Sequence, residues 1–393
     1  MAMYDVVVVG AGFAGSVLAR RIAEEGKQRV LVVERRNHIG GNAYDEYDEN
    51  GILIQRYGPH FFATYQWWII EYLKRFSDFY ECPIRAVSFL EGKYIDRPYN
   101  FRTLQQLLGS ENSQKLLEKL RTVFPDKHRV TLYDLLAAED SDILEYAQIL
   151  KQKLYIPYIM KQWGLNINEI APEIVNRSEI VLGYDTQLGD WDFQYIPSDG
   201  YTSLINNILR HPQIEVVLGE DAIADIFLDE EKYSVKYKDK DIKALVFTGS
   251  IDELFGREKG NLPYRSRHFT YEYFSNGFQL PCGVVTYPKE RDYIRQTEFK
   301  QFNPSNKMNN ITVVQSEYSL PFIKENSKGN EPYYPILNTK NVILYNEYRK
   351  KSKAFKNLYL CGRLADYKYY DMDKVIIRAF EVYEEMKKEG VFL

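Results

Sequence analysis

Cysteine is scarce in this sequence. Cys82, Cys282 and Cys361 stand far apart in 393 residues and form no C-x-x-C pair. That spacing excludes a zinc ribbon and a disulfide framework, and buried free thiols are the plain reading. Histidine is almost as rare: His38, His60, His128, His211 and His268 show no ligand spacing, so no metal is expected. Long apolar runs are missing too, and none approaches the roughly 18 residues a membrane span needs. The apolar stretch at residues 4–10 is short and lacks a basic leader, so no signal peptide is expected and the cytoplasm is the default compartment. A basic excess is also lacking. With 51 Lys and Arg against 55 Asp and Glu, the net charge of −4 argues against a nucleic-acid surface.

What the chain has in quantity is aromatic side chains, 33 tyrosines and 21 phenylalanines. Tyrosine stacks and donates a hydrogen bond at once, which suits a polar, ring-bearing ligand. The opening "YDVVVVGAGFAGSVLARRIAEEGKQRVLVVERR" reads as strand, glycine turn, helix and second strand. Its β-branched run at residues 6–9 fits a strand buried on both faces. Gly10, Gly12 and Gly15 form G-x-G-x-x-G between strand and helix, with Phe13 and Ala14 inside the same turn. The first glycine permits the turn, the second admits a pyrophosphate to the backbone, and the third lets helix and strand pack closely. The helix N-terminus faces the phosphates. Glu34 lies nineteen residues past Gly15, at the end of the second strand, where a carboxylate takes ribose hydroxyls.

The motif continues as "ERRNHIGGNAY". Arg35 and Arg36 precede a glycine pair, and Asn42 is able to reach phosphate or ribitol. This extension resembles flavoproteins with the FAD-type Rossmann domain, and the late strand and helix in "LYLCGRLADY" and "MDKVIIRAFEVYEEM" fit the same pattern. Residues 101–177 instead carry apolar residues at three- and four-residue intervals, with Thr131 in a helix N-cap region. Alternating segments such as "HFTYEYF" and "ITVVQSEYS" suggest an antiparallel sheet. The expected class is α/β: a FAD-binding Rossmann-type domain with a helical insertion domain and an antiparallel-sheet domain. The FAD-binding domain is expected at residues 1–82, 197–258 and 333–393. The helical substrate-binding domain takes 101–180, and the sheet domain 83–100, 181–196 and 259–332.

"RNHIGGNAY", "YGPHFF", "KQWG", "IPSDGYTSLI", "EPYYP" and "GRLADYKYYDM" together resemble the bacterial UDP-galactopyranose mutases, across essentially the whole chain. The resemblance implies a flavin-dependent isomerase that interconverts pyranose and furanose forms of a nucleotide-linked sugar with no net redox change. Reduced FAD is then the active cofactor, kept reduced by NAD(P)H or a reduced flavin. Its N5 attacks the anomeric carbon, the diphosphate departs, and the sugar recloses through a different hydroxyl. By the same carry-over Arg177 and Arg295 grip the phosphates, with hydroxyls from Tyr334 and Tyr369. Tyr158 stacks on the base, Trp163 packs on the sugar, and Phe193 lies at the diphosphate or sugar. His60 lies over the isoalloxazine, with Arg363 and Asp371 at the flavin. Val216, Gly362, Met372 and Val375 complete the cofactor contacts. The resemblance also implies a homodimer.

Departures from the family pattern concern the substrate. Ala63 stands where a second histidine is usual, Phe193 where a tyrosine is, and Ile159 where a small hydroxyl residue is common. UDP-galactose is the expected substrate, with dTDP-fucose and UDP-N-acetylgalactosamine as alternatives. A flavin oxidase or amine dehydrogenase on the same fold, or a non-catalytic nucleotide-sugar binder, are the competing classes. Segments 163–169 and 183–192 are candidates for a loop that closes over substrate.

Overall fold

A computed structural model describes residues 4–166, 169, 175, 179–302, 310–326 and 328–392. Its centre is a five-stranded parallel sheet in the order Ile214–Leu218, Val30–Glu34, Val6–Val9, Ala244–Phe247, Leu358–Leu360. Strand alternation splits the valines between two cores. Val6, Val8, Val30, Val32 and Val246 face the helices Phe13–Glu24, Gly200–Leu209 and Met372–Lys388. Val7, Leu31, Val33, Leu245 and Phe247 face the opposite layer, which includes Tyr237 and Tyr348. Both faces are covered, which is why these strands read as unbroken apolar runs.

The second sheet has seven strands, in the order Tyr334–Pro335, Tyr264–Phe274, Thr312–Pro321, Arg295–Glu298, Val284–Thr286, Ala86–Leu90, Lys93–Arg97. All its pairs are antiparallel except Val284–Thr286 with Ala86–Leu90. Two segments lie elsewhere than the sequence suggests. Phe193–Pro197 joins Phe62–Thr64 and Phe79–Glu81 in a small sheet beside the parallel one. Tyr334–Pro335, expected with the FAD-binding segments, forms an edge of the seven-stranded sheet. Short strands are assigned by distant partners, which a local pattern does not carry.

The helical unit packs on the Ala86–Leu90 and Lys93–Arg97 edge of the second sheet: Phe101–Leu108, Ser110–Val123, Leu132–Leu136, Ser141–Leu150 and Ile156–Trp163. Its starts are chemically marked. Asn100 and Thr103 form a reciprocal capping box, as do Thr131 and Asp134, and the Asp140 carboxylate accepts from the N–H groups of Asp142 and Ile143. Ile143, Leu135 and Leu150 are fully buried in its core, each contributing roughly 1.5–3 kcal/mol by leaving water. One π-helical turn, Lys151–Tyr155, joins the last two helices. Pro157 explains it: its ring nitrogen cannot donate and its ring crowds the carbonyl four residues back, so the ladder widens there. This offset sets the direction in which the final helix presents Tyr158 and Trp163.

Tyr146 sits in this core 1% exposed, its hydroxyl without a hydrogen-bond partner among the described residues. A buried, unmet hydroxyl costs about 1–3 kcal/mol. Tyr146→Phe is therefore expected to leave stability unchanged or raise it by about 1 kcal/mol. Urea unfolding checks this, and a loss of stability would show that the hydroxyl has a partner in solution.

Candidate active site

The first strand ends at Gly10, whose φ of +105° is one an L side chain rarely adopts. Gly15 sits so close behind the turn that a Cβ there would lie 1.9 Å from the Gly10 carbonyl oxygen. On the far side, a Cβ on Gly41 would stand 2.9 Å from the Gly12 Cα, so the two glycine loops almost touch. Glu34 closes the end of the second strand. Its Oε2 accepts the Ala11 N–H at 2.9 Å and its Oε1 the Arg36 N–H at 3.0 Å. The carboxylate is fixed beside the glycine turn before any ribose arrives.

From here an elongated cleft runs across the sheet ends. Gly10, Gly12, Phe13, Ala14, Glu34, Arg35, Asn42, His60, Gly362, Arg363, Met372 and Val375 line it, as the sequence suggests. Gly15 lies behind the turn instead. Val216 is not at the cleft: it pairs with Val32 inside the parallel sheet and packs on the core. Ala222 and Ile223, further along the chain, line the cleft instead. Asp371 occupies the N-cap of the final helix, next to Met372. Thr248 and Tyr333 also line the cleft. No sequence signal marks Thr248, while Tyr333 lies inside the EPYYP motif. The glycine cradle, the anchored Glu34 and the helix N-terminus fit a dinucleotide cofactor.

The cleft's inner end meets a second group of side chains, on one face of the seven-stranded sheet. Register places Phe269, Glu317, Arg295, Thr286 and Ser88 in one row across five strands. Glu317 is almost fully buried, with Oε1 2.8 Å from Arg267 Nε and Oε2 2.5 Å from Arg295 Nε. Desolvation would pull the Arg295 pKa down, but Glu317 more than offsets it and keeps the guanidinium charged. Arg363 donates from Nε to the Tyr370 carbonyl at 3.1 Å, and its guanidinium lies 4.9 Å from the Tyr334 ring centre and 5.5 Å from that of Tyr369. Tyr334 and Tyr369 pack at 4.9 Å, and Trp163 stands 6.0 and 5.5 Å from them. Arginine faces and phenol rings thus share one apolar, cationic corner, suited to an anion carried on a flat or ring-bearing group.

Tyr158, 9% exposed, lies one helical turn and a half from Trp163, with the Arg97 guanidinium 4.7 Å from its ring centre. Phe193 is not part of this corner. It stacks on Tyr195 and packs against the core beside the parallel sheet. Arg177 lies outside the described residues, as does part of segment 163–169. Glu317, Arg267 and Arg97 belong to the corner and carry no motif. Alternation along "YRSRHFTYEYF" does place Arg265 and Arg267 on one face, but nothing local says that this face is buried. No cluster of His, Cys, Asp or Glu among the described residues is arranged to hold a metal ion. No helix among them is long and apolar enough to cross a membrane.

A parallel sheet with a glycine-and-acid cleft, joined to an arginine–tyrosine corner, defines a Rossmann-type dinucleotide enzyme. Residues 8–76 match the family model of the NAD(P)-binding Rossmann-like domain, and residues 153–369 match that of UDP-galactopyranose mutase. The chain is 33% identical to UDP-galactopyranose mutase of Mycoplasma genitalium, covering 98% of this chain and 95% of that one. It is 31% identical to the Mycoplasma pneumoniae enzyme of the same name, over 98% and 96%. It is also 32% identical to dTDP-fucopyranose mutase of Escherichia coli, over 96% and 97%. The chain belongs to the UDP-galactopyranose mutase family, a family of isomerases. The crystal structure of reduced UDP-galactopyranose mutase superposes with a TM-score of 0.74 at 16% identity, covering 99% of this chain and 97% of that chain, which bears out the expected fold class. A putrescine oxidase structure, at 0.56 and 10% identity with 98% and 99% coverage, shares that fold alone.

His60 carries a pH consequence. Burial, followed by the neighbouring Arg363 and Arg295 charges, lowers its pKa from 6.5 to about 4, against the Gly58 carbonyl bonded to Nδ1. Below pH about 6.5 the unfolded chain takes up a proton that the folded one refuses until about 4. Stability should therefore fall as pH drops through that window, with no contribution from this group above it. His60→Asn is expected to flatten the decline by at most ~1.4 kcal/mol per pH unit. Urea unfolding from pH 4 to 8 measures it, and equal slopes in both proteins would refute the burial argument.

Proposed function

We propose that this chain is a flavin-dependent mutase that interconverts the pyranose and furanose rings of a nucleotide-diphosphate sugar, with UDP-galactose the first substrate. The observation that supports this most is the junction of the dinucleotide cleft with the Arg295, Arg363, Tyr334, Tyr369 and Trp163 corner. The proposal takes FAD as the resident cofactor and NAD(P)H or a reduced flavin as its reductant. It also takes the working form to be a cytoplasmic homodimer. When bound and reduced, the flavin would supply the nucleophile for the anomeric carbon.

The protein's own tasks are binding, orientation and charge. Arg295 is proposed to offer its η nitrogens to the diphosphate, since among the described residues its hydrogen bond to Glu317 uses Nε. Arg177 is proposed as its counterpart, and Tyr334 and Tyr369 as hydroxyl donors to the same oxygens. Retaining the departed diphosphate beside the sugar allows the same bond to reform after ring closure. Tyr158 would hold the base and Trp163 the sugar face. Arg363 and His60 stand where cofactor cleft and substrate corner meet, and His60 is uncharged at neutral pH. A neutral imidazole there accepts or donates a hydrogen bond without repelling the adjacent guanidiniums.

dTDP-fucose is a second reading, favoured by the 32% identity to dTDP-fucopyranose mutase. The test is conversion of UDP-galactofuranose, dTDP-fucofuranose and the furanose form of UDP-N-acetylgalactosamine by dithionite-reduced holoenzyme. Turnover of one of them without hydrogen peroxide is expected. Peroxide or acceptor reduction in proportion to substrate consumed would replace the mutase with an oxidase. Arg295→Ala should lower kcat/KM at least 100-fold while flavin absorbance is retained, since a lost charge-assisted contact to phosphate costs roughly 2–5 kcal/mol. An unchanged rate would move the diphosphate elsewhere.

A further inference from the structure

Arg267 carries no motif, yet its side chain meets a carboxylate, a hydroxyl, a backbone carbonyl and an aromatic ring of the corner. It lies on Tyr264–Phe274, opposite Ser319 and two residues from the Phe269–Glu317 pair, so its side chain shares a sheet face with Glu317. Its Nε lies 2.8 Å from Glu317 Oε1, an ion-pair contact that is not aligned as a hydrogen bond, with side-chain exposures of 1% and 2%. Its Nη1 donates to Ser319 Oγ at 2.5 Å and, at 3.4 Å, to the carbonyl of Gln162. The Ser319 hydroxyl itself donates to that same carbonyl. The guanidinium plane also stands 4.9 Å from the Tyr334 ring centre. No solvent-facing role is left for it.

We propose that Arg267 is a positioning residue that fixes the diphosphate-binding arginine and the sugar-facing tryptophan in one geometry. The inference rests on the reading of Arg295 as the diphosphate ligand. A carboxylate has two oxygens, and an arginine prefers to close on both. Arg267 occupies Oε1, so Arg295 reaches Glu317 through Nε and Oε2 alone. Its η nitrogens remain directed past Gly58, where a Cβ would lie 3.4 Å from Nη2. At the other end, Arg267 and Ser319 hold the last carbonyl before Trp163. The helix Ile156–Trp163 stops there at Gly164, whose φ is +63°, and the Arg265 guanidinium packs against that glycine. Arg265 donates to the same Ser319 oxygen at 2.9 Å. Two guanidiniums at a helix C-terminus oppose its negative dipole end, which further fixes the turn that carries Trp163.

Without Arg267, Glu317 is left with one partner and both oxygens available to it. Arg295 then closes on the carboxylate, the arginine–glutamate unit loses its surplus positive charge, and the tryptophan turn loses one of its two donors. A purely structural residue would lower stability without this selective coupling to Arg295.

The experiment is a double-mutant cycle on flavin-loaded protein, reading UDP affinity by calorimetry with dTDP in parallel, and KM and kcat with whichever nucleotide sugar turns over. Arg267→Met should weaken UDP about 10- to 50-fold and raise KM more than it lowers kcat, with flavin retained. In the Arg295→Met background the same change should weaken UDP less than about 2-fold, because the arginine it positions is gone. Arg267→Lys pairs with Glu317 by a single point and should recover part of the affinity. It also serves as the cycle's second variant if the methionine protein does not fold. Wild-type affinity for UDP in Arg267→Met, or losses that multiply across the cycle, would overturn the proposal. A different result, full UDP affinity in Arg295→Met, would instead remove the diphosphate reading on which it rests.

Discussion

The arrangement of this protein depends on one buried carboxylate. Glu317 lies in the middle of a seven-stranded sheet, where an apolar side chain would be the ordinary occupant. Removing a charged carboxylate from water costs several kcal/mol, which close cations at its oxygens offset. Arg267 and Arg295 supply them from the two flanking strands, so the three strands must keep their register for the charges to meet. A shift of one residue would turn every one of these side chains to the other face. The sheet is therefore held in place by the same contacts that present Arg295 to the cleft, and its function and its stability share those contacts. Arg265 is the exception that shows the cost. With no carboxylate of its own, burial and the Arg267 charge lower its pKa to about 10.

A second ionic link joins this sheet to the nucleotide domain. Arg35 and Arg36, which follow Glu34 at the ribose end of the cleft, both bond Glu331. Burial would raise the Glu331 carboxyl, but Arg36 and Arg35 hold it below its ordinary value. Glu331 directly precedes Pro332, Tyr333 and Tyr334. The loop after Glu34, which lines the cleft, is thus tied by two guanidiniums to the start of the strand that carries Tyr334. Arg363 makes the complementary link from the C-terminal segment, lining the cleft while stacking on Tyr334 and Tyr369. The cleft and the arginine–tyrosine corner share walls, which is what the proposed reading needs if one bound group must act directly on the other.

The parts legible in the sequence are those whose physics is local. The Val6–Val9 strand, the glycine turn, Glu34 and the Thr131 cap all depend on residues within a few turns of one another, and they fold as their spacing suggests. Residue positions set by strands distant in sequence were not legible. Val216 lies on the edge strand of the parallel sheet and packs on the core, a placement that no local pattern fixes. Phe193 went with the substrate on motif grounds, yet its strand pairs with Phe62–Thr64 rather than with the sheet that holds Arg295. Glu317 and Arg267 show the same limit. In "YRSRHFTYEYF" charged residues fall on both faces, so alternation leaves the buried face undecided until the partner strands are known.

The placement of Phe193 changes how the chain's departures from its family bear on substrate choice. Ala63 pairs with Gln194, next to Phe193 and Thr64, so two of the departures lie side by side in one small sheet. Alternation nevertheless turns Ala63 and Phe193 to opposite faces of that sheet. With Phe193 stacked on Tyr195 and packed on the core, its departure reads as a repacked aromatic seam rather than a donor lost from a sugar pocket. On the proposed reading, discrimination among nucleotide sugars falls to side chains that reach the corner. Arg97 is the one with the most direct means. Its guanidinium covers one face of Tyr158, the ring proposed to hold the base, and it also donates to Thr286, the neighbour of Arg295 in the sheet register. On the proposed reading, a base that stacks on Tyr158 has only the opposite face, and Arg97 ties that ring to the strand that pairs with the Arg295 strand.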